Sequence, residues 1–312
     1  MGNDPPLKAA AIDLGSNSFR LLIAELQDNR FRPVLNRLET VALGEGLAPG
    51  GTLSAAALNR AAVTLRSFRQ DLDRHSPRRL RVCGTEALRQ AGNSIAFLAE
   101  AKRILGCPVE ILTGDEEARL TFKAIAESLD LPAPLLIADV GGGSTELIFV
   151  RDRSRAPDCC SLPLGALRLT EKFAGVENGD PEKIRSLRRH VRDYLQPLVT
   201  PNLHLVGSGG TITALAALLL GLKTYDHFWV HGSCIAAAQL SQSLDRLCRM
   251  TVAERCKLFG LENGRGRIII AGLVIFQVLL ELCKAEKLLV SDAGLLEGII
   301  LSVMAANGTL PG

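Results

Sequence analysis

Two stretches of the chain, KAAAIDLGSNSFRLLIAEL (8–26) and LLIADVGGGSTELIFV (135–150), follow one pattern. Each has an apolar run ending near an aspartate, a short turn of glycines and hydroxyls, and a second apolar run. Aligned, Asp13 falls on Asp139, Gly15 on Gly141, Ser18 on Ser144 and Leu21 on Leu147, every pair 126 positions apart. A strand–turn–strand unit repeated at constant offset predicts two similar domains in succession, each offering a loop to one cleft. Glycines let backbone N–H groups close around an anion, hydroxyls add donors, and the acids can hold a metal ion. A single GGG would read as an ordinary β-turn. Two matched turns point to a pair of phosphate hairpins.

The intervening sequence repeats too. After the first hairpin come a strand near 31–43, a turn at 44–51, and a helix capped by Ser54 that runs to about 74. Strand 79–84, a helix to about 105, strand 108–113 and a helix over about 115–129 complete a βββαβαβα order. The linker DLPAP (130–134) sets a boundary between an N-terminal domain, 1–130, and a C-terminal domain, 131–312. The second half runs through strands 135–139, 146–150 and 158–163, helices to about 198, strand 203–206 and helix 211–222. Further helices fill 232–284, strand 287–290 follows, and a last helix, about 293–306, is expected to join the N-terminal domain. At 312 residues and 47% hydrophobic, the chain can bury two cores.

Charge and cysteines exclude several classes. A net charge of +3 from 36 basic and 33 acidic residues demands neither nucleic acid nor a membrane surface. Cysteines 83, 107, 159, 160, 234, 248, 256 and 283 form no CxxC and no histidine-spaced pair, which suggests reduced thiols in the cytoplasm. The apolar stretches 212–222 and 268–280 fall short of the ~20 residues that span a bilayer, and no signal peptide precedes the first strand. Both stretches read as buried helices. The basic run KIRSLRRHVR (183–192) reads as a solvated helix face, and His227 and His231 as loop or core histidines.

Three more stretches carry candidate chemistry. In CGTEALRQA (83–91) a strand ends at Gly84 and Thr85, and Arg89 stands one turn into a helix, which suits either a phosphate at the helix N-terminus or an ordinary capped helix. LVGSGGTITALAALLLGL (205–222) presents Gly209, Gly210 and Thr211 at a helix start without the GxxxxGK[ST] pattern, so it is no P-loop. Phosphate binding and close helix–sheet packing both explain it. In ILTGDEEARLTF (111–122), Thr113 and Glu116 fit a capping box, leaving Glu117 as a candidate base for a water nucleophile; a helix starting one residue later would exchange the two acids.

The order of elements resembles the architecture shared by actin, sugar kinases and heat-shock ATPases: α/β, two ribonuclease H-like domains facing one cleft. Within it, AAIDLGSNSFRLLIA (10–24), LGEGL (43–47), GTEALRQA (84–91), GDEEARLTF (114–122), ADVGGGSTELI (138–148), SLPLGALRLTEKF (161–173), GSGGTITALA (207–216) and SDAGLLEG (291–298) are similar to the exopolyphosphatase and guanosine pentaphosphate phosphohydrolase family. The resemblance implies hydrolysis of the terminal phosphoanhydride of polyphosphate or of guanosine pentaphosphate (pppGpp), with Mg²⁺ or Mn²⁺, by a cytoplasmic homodimer. It implies Glu117 as the base that activates water, Asp139 and Glu146 as acids near the metal and attacking water, and Asp13 as the equivalent acid of the first hairpin. Gly15, Ser16, Asn17, Ser18, Gly141, Gly142, Gly143 and Ser144 match its phosphate loops. Arg89 matches a phosphate-contacting arginine, and Gly209 with Gly210 a third glycine contact.

Two positions depart from the pattern. Leu296 stands where the family usually has arginine, and Arg267, after a retained Arg265, replaces an acid or small polar residue. Longer members continue into helical domains that help form a channel, so a two-domain chain is expected to be less processive or to favour shorter polyphosphates. A phosphotransferase of the sugar-kinase type, or a weakly active nucleotide-binding regulator, would use the same architecture.

Overall fold

A computed structural model describes residues 7–27, 30–48, 50–152, 155–258, 260–261 and 264–305. The described chain forms two compact units, one within Met1–Ala124 and Leu295–Gly312 and the other Ile125–Gly294. The division falls inside a helix at 124/125, upstream of the 130–134 linker.

The first unit holds strands β1 (Leu7–Leu14), β2 (Ser18–Gln27), β3 (Arg30–Thr40), β4 (Arg79–Gly84) and β5 (Val109–Ile111). They form one sheet in the order β3-β2-β1-β4-β5. β1 pairs antiparallel with β2 and parallel with β4. Its helices are α1 (Ala55–His75), α2 (Glu86–Gln90), α3 (Ser94–Leu105) and most of α4 (Gly114–Ser128). Ser54 caps α1 by accepting from the Ala57 N–H. The expected single helix up to residue 105 is two helices, because Asn93 between them bonds both backbone groups of Leu53 through its side chain.

The second unit holds β6 (Leu135–Val140), β7 (Thr145–Val150), β8 (Asp158–Leu162), β9 (His204–Ser208), β10 (Cys234–Ala236) and β11 (Lys287–Val290), in the order β10-β11-β9-β6-β7-β8. From β8 to β11 this repeats the order of the first sheet. β6 again pairs antiparallel with the next strand and parallel with β9, so the 126-residue repeat is a repeat of topology. β10 is an addition at the edge that the sequence does not announce, since three residues, CIA, carry no alternation. The helices are α5 (Ala166–Lys172), α6 (Pro181–Leu195), α7 (Gly210–Leu219), α8 (His227–Val230), α9 (Ala237–Cys248), α10 (Val252–Arg255) and α11 (Arg265–Cys283).

α11 is long and apolar enough to cross a membrane, but 78% of its most apolar window is buried inside the unit. It packs on α5, α6, α7 and α9 as the central core helix. Arg188 and Arg192 of the basic run both pair with Glu281 of α11, so part of that face clamps α6 onto the core helix. The eight cysteines are free thiols, and burial pushes Cys83 and Cys283 up to about 12, which makes them inert.

α12 (Leu295–Ala305) returns to the first unit, where it packs on β1, β2 and β4. Leu296, in the family's arginine position, is wholly buried there in a cluster with Ala9, Ala11, Leu22 and Ile300. That site is apolar, so the leucine is used as core. Gly298 sits hard against α4, and a Cβ there would lie 2.1 Å from the Leu120 carbonyl oxygen. Gly298→Ala must push the two helices apart. The expected loss is about 1–3 kcal/mol, read as a lower urea midpoint at unchanged slope.

Candidate functional site

The two hairpins are closed the same way. The Gly15 N–H donates to the Ser18 carbonyl at 3.1 Å, and the Gly141 N–H to the Ser144 carbonyl at 3.0 Å. A side chain at Gly15 would clash with that carbonyl at 2.8 Å, which explains the glycine.

Each turn is also backed from behind. In the first unit, the Ser16 carbonyl accepts from Gly44 at 2.8 Å and the Asn17 carbonyl from Val41 and Ala42, so the LGEGL stretch braces the turn. The Ser16 hydroxyl accepts from the Ala87 N–H at 3.2 Å, taking over the capping of α2 that Thr85 does not perform. In the second unit the start of α5 does the bracing. The Gly141 carbonyl accepts from Ala166, and the Gly142 carbonyl from Leu167 and Arg168, at 2.9 to 3.1 Å. Across a trans peptide the next N–H points opposite to the carbonyl. The amides of residues 142 and 143 therefore face away from α5, as in an anion-binding nest.

Strand register sets the acids. Asp139 lies opposite Glu146 on one side and Ser208 on the other, and Glu146 lies opposite Ser161. Ser161, Glu146, Asp139 and Ser208 thus form one row across β8, β7, β6 and β9, on one face of the sheet. Glu146 is 5% exposed and its Oε1 accepts from the Ser161 hydroxyl at 2.7 Å. The Asp139 carboxylate leans over Gly209, whose φ is +93° and where a Cβ would lie 2.9 Å from Oδ1. In the first hairpin the residue at the place of Glu146 is Arg20, opposite Asp13. Arg20 also reaches Glu297 at 3.5 Å. One hairpin therefore pairs acid with base, and the other acid with acid.

The third glycine loop ends β9 and starts α7. Its floor is the SDAG stretch: Ser291 donates from its N–H to the Gly207 carbonyl at 2.8 Å, and the Ser208 hydroxyl donates to the Ala293 carbonyl at 3.3 Å. Beside Gly210 lies the Arg265 guanidinium, with Nη2 3.3 Å from where a Cβ would stand. Sequence reasoning did not name Arg265 as a site residue. The signal was available, because Arg265 opens α11, and a cation at a helix N-terminus opposes the helix dipole. At Gly210 the same charge reinforces the start of α7, where N–H groups already favour an anion. His227 and His231 bond Asp292 rather than the glycine loop, His227 Nδ1 lying 2.7 Å from Oδ2.

Glu116 and Glu117 divide their work as the first capping register requires. The Thr113 N–H donates to Glu116 at 2.7 Å and the Glu116 N–H to the Thr113 hydroxyl at 3.2 Å. Glu117 is 5% exposed and pairs with Arg89. The Arg89 guanidinium also donates to Glu86 at 2.9 Å and to the Leu112 carbonyl at 2.5 Å. Burial pulls Arg89 down, but the charges and hydrogen bonds of Glu117 and Glu86 outweigh it and leave the group above its ordinary value. The candidate base and the candidate phosphate arginine are thus partners in the first unit.

Residues 22–307 match the Ppx/GppA phosphatase family. The chain belongs to that family. As a Ppx/GppA phosphatase it is a hydrolase, and its relatives agree. Exopolyphosphatase 2 of Mycobacterium tuberculosis is 33% identical over 315 residues, covering 95% of this chain and 98% of the relative. The crystal structure of the Aquifex aeolicus Ppx/GppA family member is 33% identical, covers 97% of this chain and 99% of its own, and superposes with a TM-score of 0.82. An exopolyphosphatase from Cytophaga hutchinsonii, 22% identical, shares the fold with a TM-score of 0.85 over 97% of this chain and all of its own.

No three His, Cys, Asp or Glu residues that could hold a metal come together among the described residues. The Asp139–Glu146 pair still suits Mg²⁺, which usually takes one or two carboxylates and completes its shell with water and substrate phosphate. Asp13, facing Arg20, already has a cation as its cross-strand neighbour.

The bracing of 141–143 by the α5 start depends on Gly165. A Cβ there would fall 2.2 Å from the Gly142 carbonyl oxygen and 2.3 Å from the Gly143 carbonyl carbon. Gly165→Ala should raise KM for polyphosphate about tenfold or more, on the sensitivity of positioned groups to shifts near 1 Å. A KM at the wild-type value would show that this loop does not hold substrate.

Proposed function

We propose that the protein releases orthophosphate from the chain end of inorganic polyphosphate, from pppGpp, or from both. The observation that carries the reading is the acid pair Asp139–Glu146 beside a braced glycine turn. Two adjacent carboxylates call for a cation, and the turn's amides call for phosphate oxygens. The exopolyphosphatases among the relatives support polyphosphate as one substrate, while pppGpp ends in the same phosphoanhydride.

In the second unit, Gly141, Gly142, Gly143 and Ser144, with Gly209, Gly210 and Arg265, hold phosphate oxygens through amides, hydroxyl and guanidinium. Asp139 and Glu146 hold Mg²⁺ or Mn²⁺, which when bound neutralises phosphate charge so that water can approach phosphorus. In the first unit, Gly15, Ser16, Asn17 and Ser18 offer the matching turn.

Glu117 takes the proton of the water whose oxygen attacks the terminal phosphorus. The bridging P–O bond breaks, and its electrons leave with the shortened chain. Arg89 suits this step because its guanidinium pairs with the Glu117 carboxylate and fixes its orientation. The same reading places the enzyme in the cytoplasm as a homodimer, acting on small or polymeric phosphates rather than on nucleic acid or a membrane. Sedimentation reads the oligomeric state.

A phosphate-release panel over triphosphate, short and long polyphosphate, pppGpp and ATP tests the substrate. Release without any added acceptor is expected from polyphosphate, pppGpp or both, and should stop on chelation of divalent metal. Preference for ATP, or full activity in excess chelator, would overturn substrate or metal respectively.

Glu117→Gln should cut kcat by about a hundredfold or more, the usual scale for a lost general base, with an unchanged circular dichroism spectrum. Near-normal turnover removes Glu117 from the base role.

A further inference from the structure

Glu146 stands at a place where a carboxylate is hard to keep. It is buried, and directly across β6–β7 lies a second acid, Asp139. Like charges at opposed sheet positions repel, and the repulsion biases both side chains to swing away. Glutamate has three side-chain torsions in which to do so. Holding it in one geometry takes a donor on the side away from Asp139, and β8 places one there: Ser161 is the cross-strand neighbour of Glu146, and its hydroxyl donates to Oε1 at 2.7 Å.

The register that brings Ser161 to this point is itself secured. β8 is the edge strand of its sheet, and an edge strand slipped by one residue would present Cys160 or Leu162 to the site face instead. The Thr145 hydroxyl, next to Glu146, donates to the Leu164 carbonyl at 2.5 Å, just past the end of β8. That bond fixes the strand's end against β7. On the other flank, the Ser208 hydroxyl donates to Ala293 and not to Asp139, so the two serines of the row do different work. Ser208 supports the glycine loop. Ser161 supports the acid.

We propose that Ser161 is a positioning residue for the phosphohydrolase reaction, orienting Glu146 toward the metal ion and water through its hydroxyl. The proposal rests on the assignment of Glu146 given under the proposed function. Supporting groups around a metal-binding carboxylate commonly change metal affinity or activity 10- to 100-fold when lost, on the order of what is expected here.

The test compares Ser161→Ala, Ser161→Thr and Ser161→Cys with wild type and with Glu146→Gln. Steady-state kinetics on tripolyphosphate give kcat and KM, a Mg²⁺ titration gives the half-saturating concentration, and electron paramagnetic resonance of free Mn²⁺ measures binding without turnover. Ser161→Ala should lose about tenfold or more in kcat and in Mn²⁺ affinity, with KM little changed. Ser161→Thr, which keeps the hydroxyl on a residue strands accept, should restore most of both. If Ser161→Ala fails to fold, Ser161→Cys, close in volume but a weak donor, must show the same loss.

Ser161→Ala at wild-type kcat and Mn²⁺ affinity overturns the proposal, and so does Ser161→Thr as impaired as Ser161→Ala, which would make the effect one of packing. An inactive Glu146→Gln beside a normal Ser161→Ala rejects only the role of Ser161. A fully active Glu146→Gln rejects the assignment of Glu146 and this proposal with it.

Discussion

Asp139 and Glu146 repel each other, and much of the second unit answers that repulsion. They are opposed in the β6–β7 ladder, so only their side chains, not their backbones, can move apart without breaking the hairpin. Ser161 gives Glu146 a donor, and Asp139 leans over the start of α7, where helix amides carry partial positive charge. Two carboxylates side by side also suit a cation, which is the reading proposed for them above. In the proposed function the glycine turn between the two acids would hold phosphate oxygens, and a divalent ion would meet both sets of charges.

The first unit shows the other solution to the same scaffold. Its hairpin has the same closing bond, the same strand order and a braced turn, but Arg20 stands where the second hairpin has Glu146. There an aspartate has a cation as its cross-strand neighbour. At the ladder position facing the aspartate the two copies carry opposite charges, Arg20 in one and Glu146 in the other. The placing of acids matters here more than their number, which is why a net charge of +3 carries no hint of it.

Much of this was legible in the sequence because it lies in periodic or spaced patterns. The constant offset between hairpins foretold the repeated strand order, and Thr113–Glu116 foretold the capping box that leaves Glu117 for other work. The rest depended on neighbours distant in sequence. Arg89 and Glu117 are 28 residues apart, and only the β4–β5 pairing puts Leu112, just past β5, beside the end of β4. Ser161 faces Glu146 through strand register, which no motif states. Arg265 reaches Gly210 across 55 positions, hinted at only by a cation on the wrong end of a helix. The break at Asn93 was hidden for the same reason, since its partner Leu53 lies 40 residues back.

Arg89 shows why a static inventory of roles needs its electrostatics. One guanidinium bonds two buried carboxylates, so removing it would break two buried ion pairs at once, a change that usually costs about 3–5 kcal/mol. Loss of activity on replacing Arg89 would therefore mix a structural debt with any lost contact to substrate.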